Sequence, residues 1–477
     1  MTGEKPGWLG MTRRRMLGYT LLGGGTLLAG CGMQGVGDRA KVKGRILLDR
    51  IPGLPLGLEA AIRFPLIEAI HGRRARRFSV GSSIPDGPLA YTSTAEPMPL
   101  NPLEQMMVVT AAAGNTGWHY LIPHNPNYVP NIPNYAGAAG GRTFPSSAGF
   151  HTTEFFFTDD EGIHFLPTRD APALLERADD GSMDLNAYLQ AHRARVRKLS
   201  DKRLHIPPKP AHIEMHNPWC VNRPGSTLVI PVADLSQHVV AAICYLVQNG
   251  ACISDDVHGN KIPGMERFKG LVDVENPYPL TYVEQLCLTE ATVELGTSCY
   301  AGMLMLQAMG LGGWMFDGIT PFSVLGASGD PEVPGLGFRY DTSERWPLPN
   351  ATGLPGVFEG YCPSHYPRMR EAVQALVKRK FGEGGPFNAS TPGPFKDSPK
   401  VRGAGKVHDE EFVECATTMA QYIYDRFGRF PGTVPSMHVL MYLQAHHLEL
   451  GYYDQHFGPG AYLETHARHM ERWHGTV

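Results

Sequence analysis

The chain lacks the features that would place it in the simplest functional classes. It has no basic surplus: 43 lysines and arginines stand against 46 aspartates and glutamates, a net charge of −3. That argues against a nucleic-acid partner, which requires a basic excess. Its eight cysteines are irregularly spaced and include no Cys-x-x-Cys pair. Neither a zinc ribbon nor a dense disulfide framework is indicated, and only an isolated disulfide stays open. Gly-x-Ser-x-Gly, His-Glu-x-x-His and dinucleotide-binding fingerprints are all missing, so no hydrolase elbow, zincin helix or nicotinamide site is read. What the chain does have is 40 prolines and 55 glycines within 477 residues of ordinary apolar content. That composition implies one large domain with additions and many turns.

The N-terminus reads as an address. Thr12-Arg13-Arg14-Arg15-Met16-Leu17 is similar to a twin-arginine export signal. The apolar run after it, Leu17 to Leu28, is glycine-interrupted and too short to span a bilayer. It ends in Leu27-Leu28-Ala29-Gly30-Cys31, which resembles a lipobox with Cys31 as the lipidated residue; the alternative is a plain signal peptide. The start is either Met1 or Met11. An exported, lipid-anchored protein is expected, periplasmic or on the outer face, with segments 1–31 (signal), 32–45 (linker), 46–345 (main domain) and 346–477 (extension). Export in the folded state raises the expectation of a bound redox cofactor.

Three stretches carry candidate chemistry. Leu66–Ile70 reads as a helix running into His71-Gly72-Arg73-Arg74-Ala75-Arg76-Arg77-Phe78. Four arginines in five positions suit an anion, since guanidinium groups bind phosphate oxygens in pairs; the alternative is a solvated basic face. Pro99–Ala112 has a helical pattern starting at Asn101 or Pro102 and gives way to Gly114-Asn115-Thr116-Gly117. Asn115 and Thr116 offer donors and acceptors for the polar edge of a heterocycle, or form a simple turn. Glu290–Gly318 begins as a helix, apolar all round from Gly296 to Met309, and breaks at Gly310-Leu311-Gly312-Gly313 before Trp314. A helix of that kind is buried, and the glycine run offers main-chain N–H groups to a flat ligand, or merely stops a core helix.

Elsewhere, Thr153–Leu166 reads as a hairpin and Ser182–Leu199 as a surface helix. Ser226–Val232 reads as a buried strand whose end is weakened by Pro231, and His238–Asn249 as a helix. The mixture predicts an α+β architecture.

In this order, "LIEAIHGRRARRF", "PLEQMMVVTAAAGNTGWHY" and "ELGTSCYAGMLMLQAMGLGGWMFDG" resemble the nitroreductase-like superfamily of flavin enzymes, over roughly 42–342. The resemblance implies an FMN-binding fold, with a central antiparallel-dominated sheet packed by helices. It also implies a homodimer with FMN at the subunit interface and ping-pong electron transfer. On it, Arg73, Arg74 and Arg77, with Arg76 as the alternative to Arg77, hold the phosphate, and Asn115 and Thr116 meet the ring or ribityl chain. Gly312, Gly313 and Trp314 line the ring, and Arg339 is a late phosphate ligand. The flavin does the redox chemistry while the protein binds and tunes it, so no catalytic residue is assigned.

Beyond Trp346 the resemblance ends. Glu371–Phe381, Asp409–Phe427, Val434–Leu450 and Ala461–Trp473 read as helices, with Gly384–Gly405 as a linker. The tail carries His438, His446, His447, His456, His466, His469 and His474. His466 and His469 stand three apart, a spacing a metal can use, with Glu449 and Asp454 as added oxygens; packing and capping is the blander reading, and no metal ligand set is assigned. The leading function is an exported flavin-dependent oxidoreductase acting on a small aromatic, quinone-like or nitro compound. Its electron partner is a quinone, oxygen or a redox protein. The alternatives are a non-catalytic surface lipoprotein without flavin and a metal-binding protein built on the tail histidines.

Overall fold

Local chemistry accounts for α1 (Pro102–Ala113). Asn101 Oδ1 accepts from the Leu103 and Glu104 N–H groups at 3.0 Å, and Glu104 Oε2 accepts from Asn101 N–H at 2.8 Å, a reciprocal capping box. The computed structural model describes residues 46–47, 54–124, 134–175, 178 and 181–475. All of these belong to one unit spanning 44–477. The export signal and Cys31 lie outside the described residues.

A seven-stranded antiparallel sheet forms the centre. Its strands are β1 (Thr153–Asp159), β2 (Gly162–Leu166), β3 (Arg197–Ser200), β4 (Thr227–Asp234), β5 (Gly312–Phe316), β6 (Met437–His438) and β7 (Tyr442–His446), in spatial order β5-β7-β4-β1-β2-β3 with β6 beside β4. The β1–β2 hairpin is where the sequence placed it, in register from Phe155↔Leu166 to Asp159↔Gly162. Pro231 does not end β4. The strand runs on to Asp234 because β7 pairs only through Val229 and β6 resumes at Ala233. Pro231, which has no N–H to donate, falls in that interruption.

Helices pack against the sheet and on one another: α2 (Leu185–Arg193), α3 (Leu235–Gln248), α4 (Leu280–Met309), α5 (Met369–Phe381), α6 (Glu410–Phe427) and α7 (His469–His474). The 30-residue α4 joins two cores. Its first turns bring Leu280, Val283 and Cys287 into a cluster with α3, α5 and α6, and its last turns bring Cys299, Met303 and Leu306 against α1 and the sheet. Gly302 is needed there, because a Cβ would stand 2.3 Å from Leu443 Cδ2. Gly310 ends α4 at φ 79°, and both its N–H and that of Leu311 bond to the Leu306 carbonyl, an αL cap suited to glycine. The architecture is therefore α+β, an antiparallel sheet packed by helices. Among the described residues no helix is long and apolar enough to cross a membrane, and the seven described cysteines are buried and free.

Three local expectations are corrected. Val434–Leu450 is not a helix but contributes β6 and β7, and β7 sits between β5 and β4. The boundary at 345/346 therefore separates no unit: the chain returns to complete the sheet of the main domain. The segment Ser182–Leu199 holds the shorter α2 and most of β3, and α2 buries Leu185, Tyr188, Leu189 and His192. Its apolar face packs inward, so it is no surface insertion.

Candidate functional site

A cleft of about 710 Å³ opens beside α4 and is lined by Thr116–Tyr120, Gly141–Ser146, His151 and Leu175. Its size is that of a cofactor-scale pocket. The loop beneath it is fixed from α4. Glu294, fully buried, accepts from Ser146 Oγ, from Thr153 Oγ1 at 2.7 Å and from the Thr152 N–H at 3.3 Å. One turn earlier, Glu290 accepts from Ser147 Oγ at 2.6 Å and pairs with His238 Nε2 at 2.9 Å. Burial alone would raise the Glu290 carboxyl, but these two hydrogen bonds hold it below its ordinary value. In the same loop Ala148 and His151 sit at φ 49° and 48°. That left-handed conformation costs a non-glycine residue on the order of 1 kcal/mol.

Two histidines face each other in the cleft. His119 Nε2 and His151 Nε2 are 3.0 Å apart, so one donates and the other accepts. Burial, and then the positive charge of Arg142, pushes His119 down to about 4 and His151 well below its ordinary value. Both are neutral at pH 7. A neutral imidazole pair passes a proton on rather than storing it. His151 Nδ1 is buried without a hydrogen-bond partner. Arg142 places a charge at the cleft floor, with its guanidinium donating to the carbonyls of Gly140, Gly141, Thr168 and Arg169. Nothing in the spacing of His119 and His151 announces this pair. The Asn115–Thr116 motif was the one pointer to the region.

The nominated residues are dispersed. Thr116 lines the cleft. Asn115 is fully buried: its N–H donates to His192 Nε2 at 2.9 Å, its Nδ2 to the Thr168 carbonyl at 3.2 Å, and its Oδ1 has no partner. The four arginines do not converge. Arg73 Nη1 lies 3.8 Å from Met303 Sδ, and Arg74 is exposed and bonded to backbone carbonyls of its own turn. Arg77 reaches Asn217 Oδ1 at 3.3 Å and stands over the Trp219 ring. Arg76 is buried, with hydrogen bonds to Ala461 O (2.9 Å), Gln307 Oε1 (2.7 Å) and Gly72 O (3.2 Å). Arg339, at the start of a separate three-stranded sheet, pairs with Glu359 at 2.8 Å.

Gly312, Gly313 and Trp314 are strand rather than turn. Their register partners are His446, Ala445 and Gln444, and the Gly313 N–H donates to the Arg76 carbonyl at 2.8 Å. A Cβ on Gly313 would lie 2.0 Å from the Gln444 carbonyl oxygen. Glycine serves close strand packing there, and Trp314 is buried among core side chains.

The tail histidines also scatter. His446 Nε2 meets the Arg76 carbonyl, His456 that of Ala90, and His438 Nε2 lies 3.2 Å from Thr292 Oγ1. His466 Nδ1 caps Leu463 N–H at 3.2 Å. Glu449 binds Ser93, and Asp454 binds Tyr462. Only His447, His469 and His474 come together, on Glu104.

No protein-family model matches the chain, and no curated protein sequence does. Among solved structures it is similar to a chain from Ralstonia eutropha JMP134 described as a candidate nitroreductase. The identity is 14% over 54% of this chain and 71% of that one, with a TM-score of 0.25. At those values the likeness decides nothing about fold or activity.

Proposed function

We propose that this protein is a flavin-dependent oxidoreductase of nitroreductase-like fold, which acts on a small flat compound (aromatic, quinone-like or nitro) in the cleft between Thr116 and His151. The observation that carries the reading is the cleft itself. It has the volume for a ring system, aromatic walls in Trp118, Tyr120 and Phe144, and a neutral histidine pair able to relay a proton. FMN is the cofactor proposed, and its fit is divided. Thr116 lines the cleft and suits the polar edge of a ring, whereas Asn115, with its unpartnered Oδ1, is fully buried outside that lining. Within one chain, however, the arginines do not gather for a phosphate. Reduction of a quinone or nitro group consumes protons as well as electrons, and the role proposed for His119 and His151 is to relay one from solvent through their shared hydrogen bond.

The proposed assembly is a homodimer. Tyr282, Leu286, Val293 and Tyr300 are 37–51% exposed on α4, at spacings of four and seven. Thr289 and Gly296 fill the intervening positions of the same face, which carries no charge. The three charged residues of α4, Glu284, Glu290 and Glu294, are all bonded within the chain. An uncharged seam of that period, about 27 Å long, suits the same helix of a second copy across a two-fold axis.

Export and lipidation at Cys31 complete the proposal and rest on residues 12–31 alone. The electron partner proposed is a quinone, oxygen or a redox protein. The deciding experiment is the visible spectrum of the mature protein, with the chromophore identified after heat release. Flavin absorbance with FMN released supports the reading. A protein that stays colourless after incubation with FMN returns it to a non-catalytic lipoprotein.

A further inference from the structure

His447, His469 and His474 converge on one carboxylate although the first and last lie 343 and 370 residues from Glu104. Glu104 Oε1 is 3.1 Å from His469 Nε2 and 2.9 Å from His474 Nε2. His447 Nδ1 is 3.1 Å from His469 Nε2. One ligand atom from each of the four residues falls within 4.8 Å of every other. The site is closed: side-chain exposure is 0% for Glu104, 2% for His447, 4% for His469 and 15% for His474.

Hydrogen-bond accounting exposes a conflict at the centre of this group. His469 Nδ1 lies 2.9 Å from the Met309 carbonyl oxygen, which only accepts, so that nitrogen carries a hydrogen. His447 Nε2 lies 3.3 Å from the Pro99 carbonyl and 3.8 Å from Glu104 Oε2, again only acceptors, so it carries one too. In the neutral rings the remaining nitrogens, His469 Nε2 and His447 Nδ1, are bare. Two lone pairs and a carboxylate oxygen therefore meet with no hydrogen among them. Even with a hydrogen from His474 Nε2 on Glu104 Oε1, such an arrangement is repulsive unless a metal cation or an added proton lies between these atoms. The outer contacts are those that metal-bound histidines make. Each of these two rings donates its far N–H to a backbone carbonyl, and the Asn101 N–H holds the other oxygen of Glu104.

We propose that Glu104, His447, His469 and His474 bind one divalent transition-metal ion of the zinc class. Three imidazoles and a carboxylate suit such an ion. Tetrahedral ligands at about 2.0–2.1 Å from zinc stand roughly 3.3–3.4 Å apart, near the three contacts of 2.9–3.1 Å and inside the 4.8 Å that bounds the whole set. Four buried protein ligands leave no open position, so the centre is structural. It ties together the first turn of α1, the residue after β7 and both ends of α7. The neighbouring carbonyl of Met309 ends α4, so the ion also fixes the C-terminus of the central helix.

The test uses the full mature chain without an affinity tag. Elemental analysis should find about one zinc per chain. Stripping with a chelator should lower the melting temperature, and added zinc should restore it. Cobalt in its place should give the intense visible bands of a tetrahedral centre. His474→Gln, at the exposed edge, should weaken zinc binding at least about 100-fold while the far-ultraviolet circular dichroism stays unchanged. His456→Gln should leave binding intact. A chain that takes up less than about a tenth of an equivalent, with a melting temperature indifferent to chelator and zinc, overturns the proposal in favour of an extra proton on His469. Metal retained undiminished in both His474→Gln and Glu104→Gln overturns it in favour of a site elsewhere.

Discussion

Replacing Arg76 by methionine separates a ligand-binding arginine from a structural one. Arg76 is 2% exposed, and its three hydrogen bonds all go to neutral oxygens, those of Ala461, Gln307 and Gly72. Burial pushes its guanidinium down to about 10, so it stays charged at pH 7. Each charge-assisted bond contributes about 1.5–3 kcal/mol. Relief of the guanidinium's desolvation in the methionine variant offsets part of the sum. A net loss of about 3 kcal/mol is expected. With about 2.1 cal/mol/K of unfolding entropy per residue over the 434 residues from 44 to 477, that is a fall of about 3 °C in melting temperature. Calorimetry of the mature protein beside equilibrium dialysis against FMN and inorganic phosphate decides the matter. A melting temperature within 1 °C of wild type, together with lost phosphate or FMN binding, would refute the structural reading and restore Arg76 as an anion ligand.

Other outcomes follow from the same structure. Val293→Glu puts a charge at the centre of the exposed α4 seam, and sedimentation should show a monomer where the wild type is a dimer; an unchanged dimer sinks that interface. Gly302→Val forces a side chain against Leu443 and should cost about 1–3 kcal/mol in urea unfolding, whereas Gly296→Ala, with no atom within 4 Å of its Cβ, should be tolerated. His119, ordinarily near 6.5, sits at about 4 when folded. The unfolded chain therefore takes up the proton first, and stability should fall as pH drops from 6.5 to 4. His119→Asn should make that limb shallower, the other buried histidines accounting for the rest, and an unaltered slope counts against the buried neutral ring. Glu290 has the opposite origin with the same direction: its stabilisation is present above its unfolded value near 4.5 and lost as pH falls below it. Glu290→Gln should reduce the loss seen in acid melts. Intact-mass analysis of membrane-extracted protein should show a diacylated Cys31 as the first residue; an unmodified N-terminus downstream of it would remove the lipid anchor from the proposal.

Where a segment's structure is decided within a turn or two, the residues announce it. The helix start at Asn101 or Pro102, the apolar run to Met309 with its Gly310 stop, and the β1–β2 hairpin were all legible for that reason. Pairing partners far along the chain were not. The apolar residues of Val434–Leu450 fit a helical period as well as a strand, and only the gap between β5 and β4 selects the strand. Gly312–Trp314 looked like a ligand-facing turn because nothing local reveals that Gln444 waits beside it. The histidine spacing misled for a geometric reason: the helix breaks at Arg468, between His466 and His469, so the two share no face. Glu104 was not singled out from the sequence, because its histidine partners come from the last 31 residues of the chain.

The position of β7 has a consequence for how the chain is made. Tyr442–His446 is the last strand in sequence, yet it bridges β5 to β4. Until those residues leave the ribosome, β5 has no neighbour on that side and the sheet stands as two pieces. Folding must therefore follow synthesis rather than accompany it, and a chain stopped anywhere before Tyr442 exposes two raw strand edges to other copies. A nonsense codon late in the gene should yield aggregate, not a shortened protein.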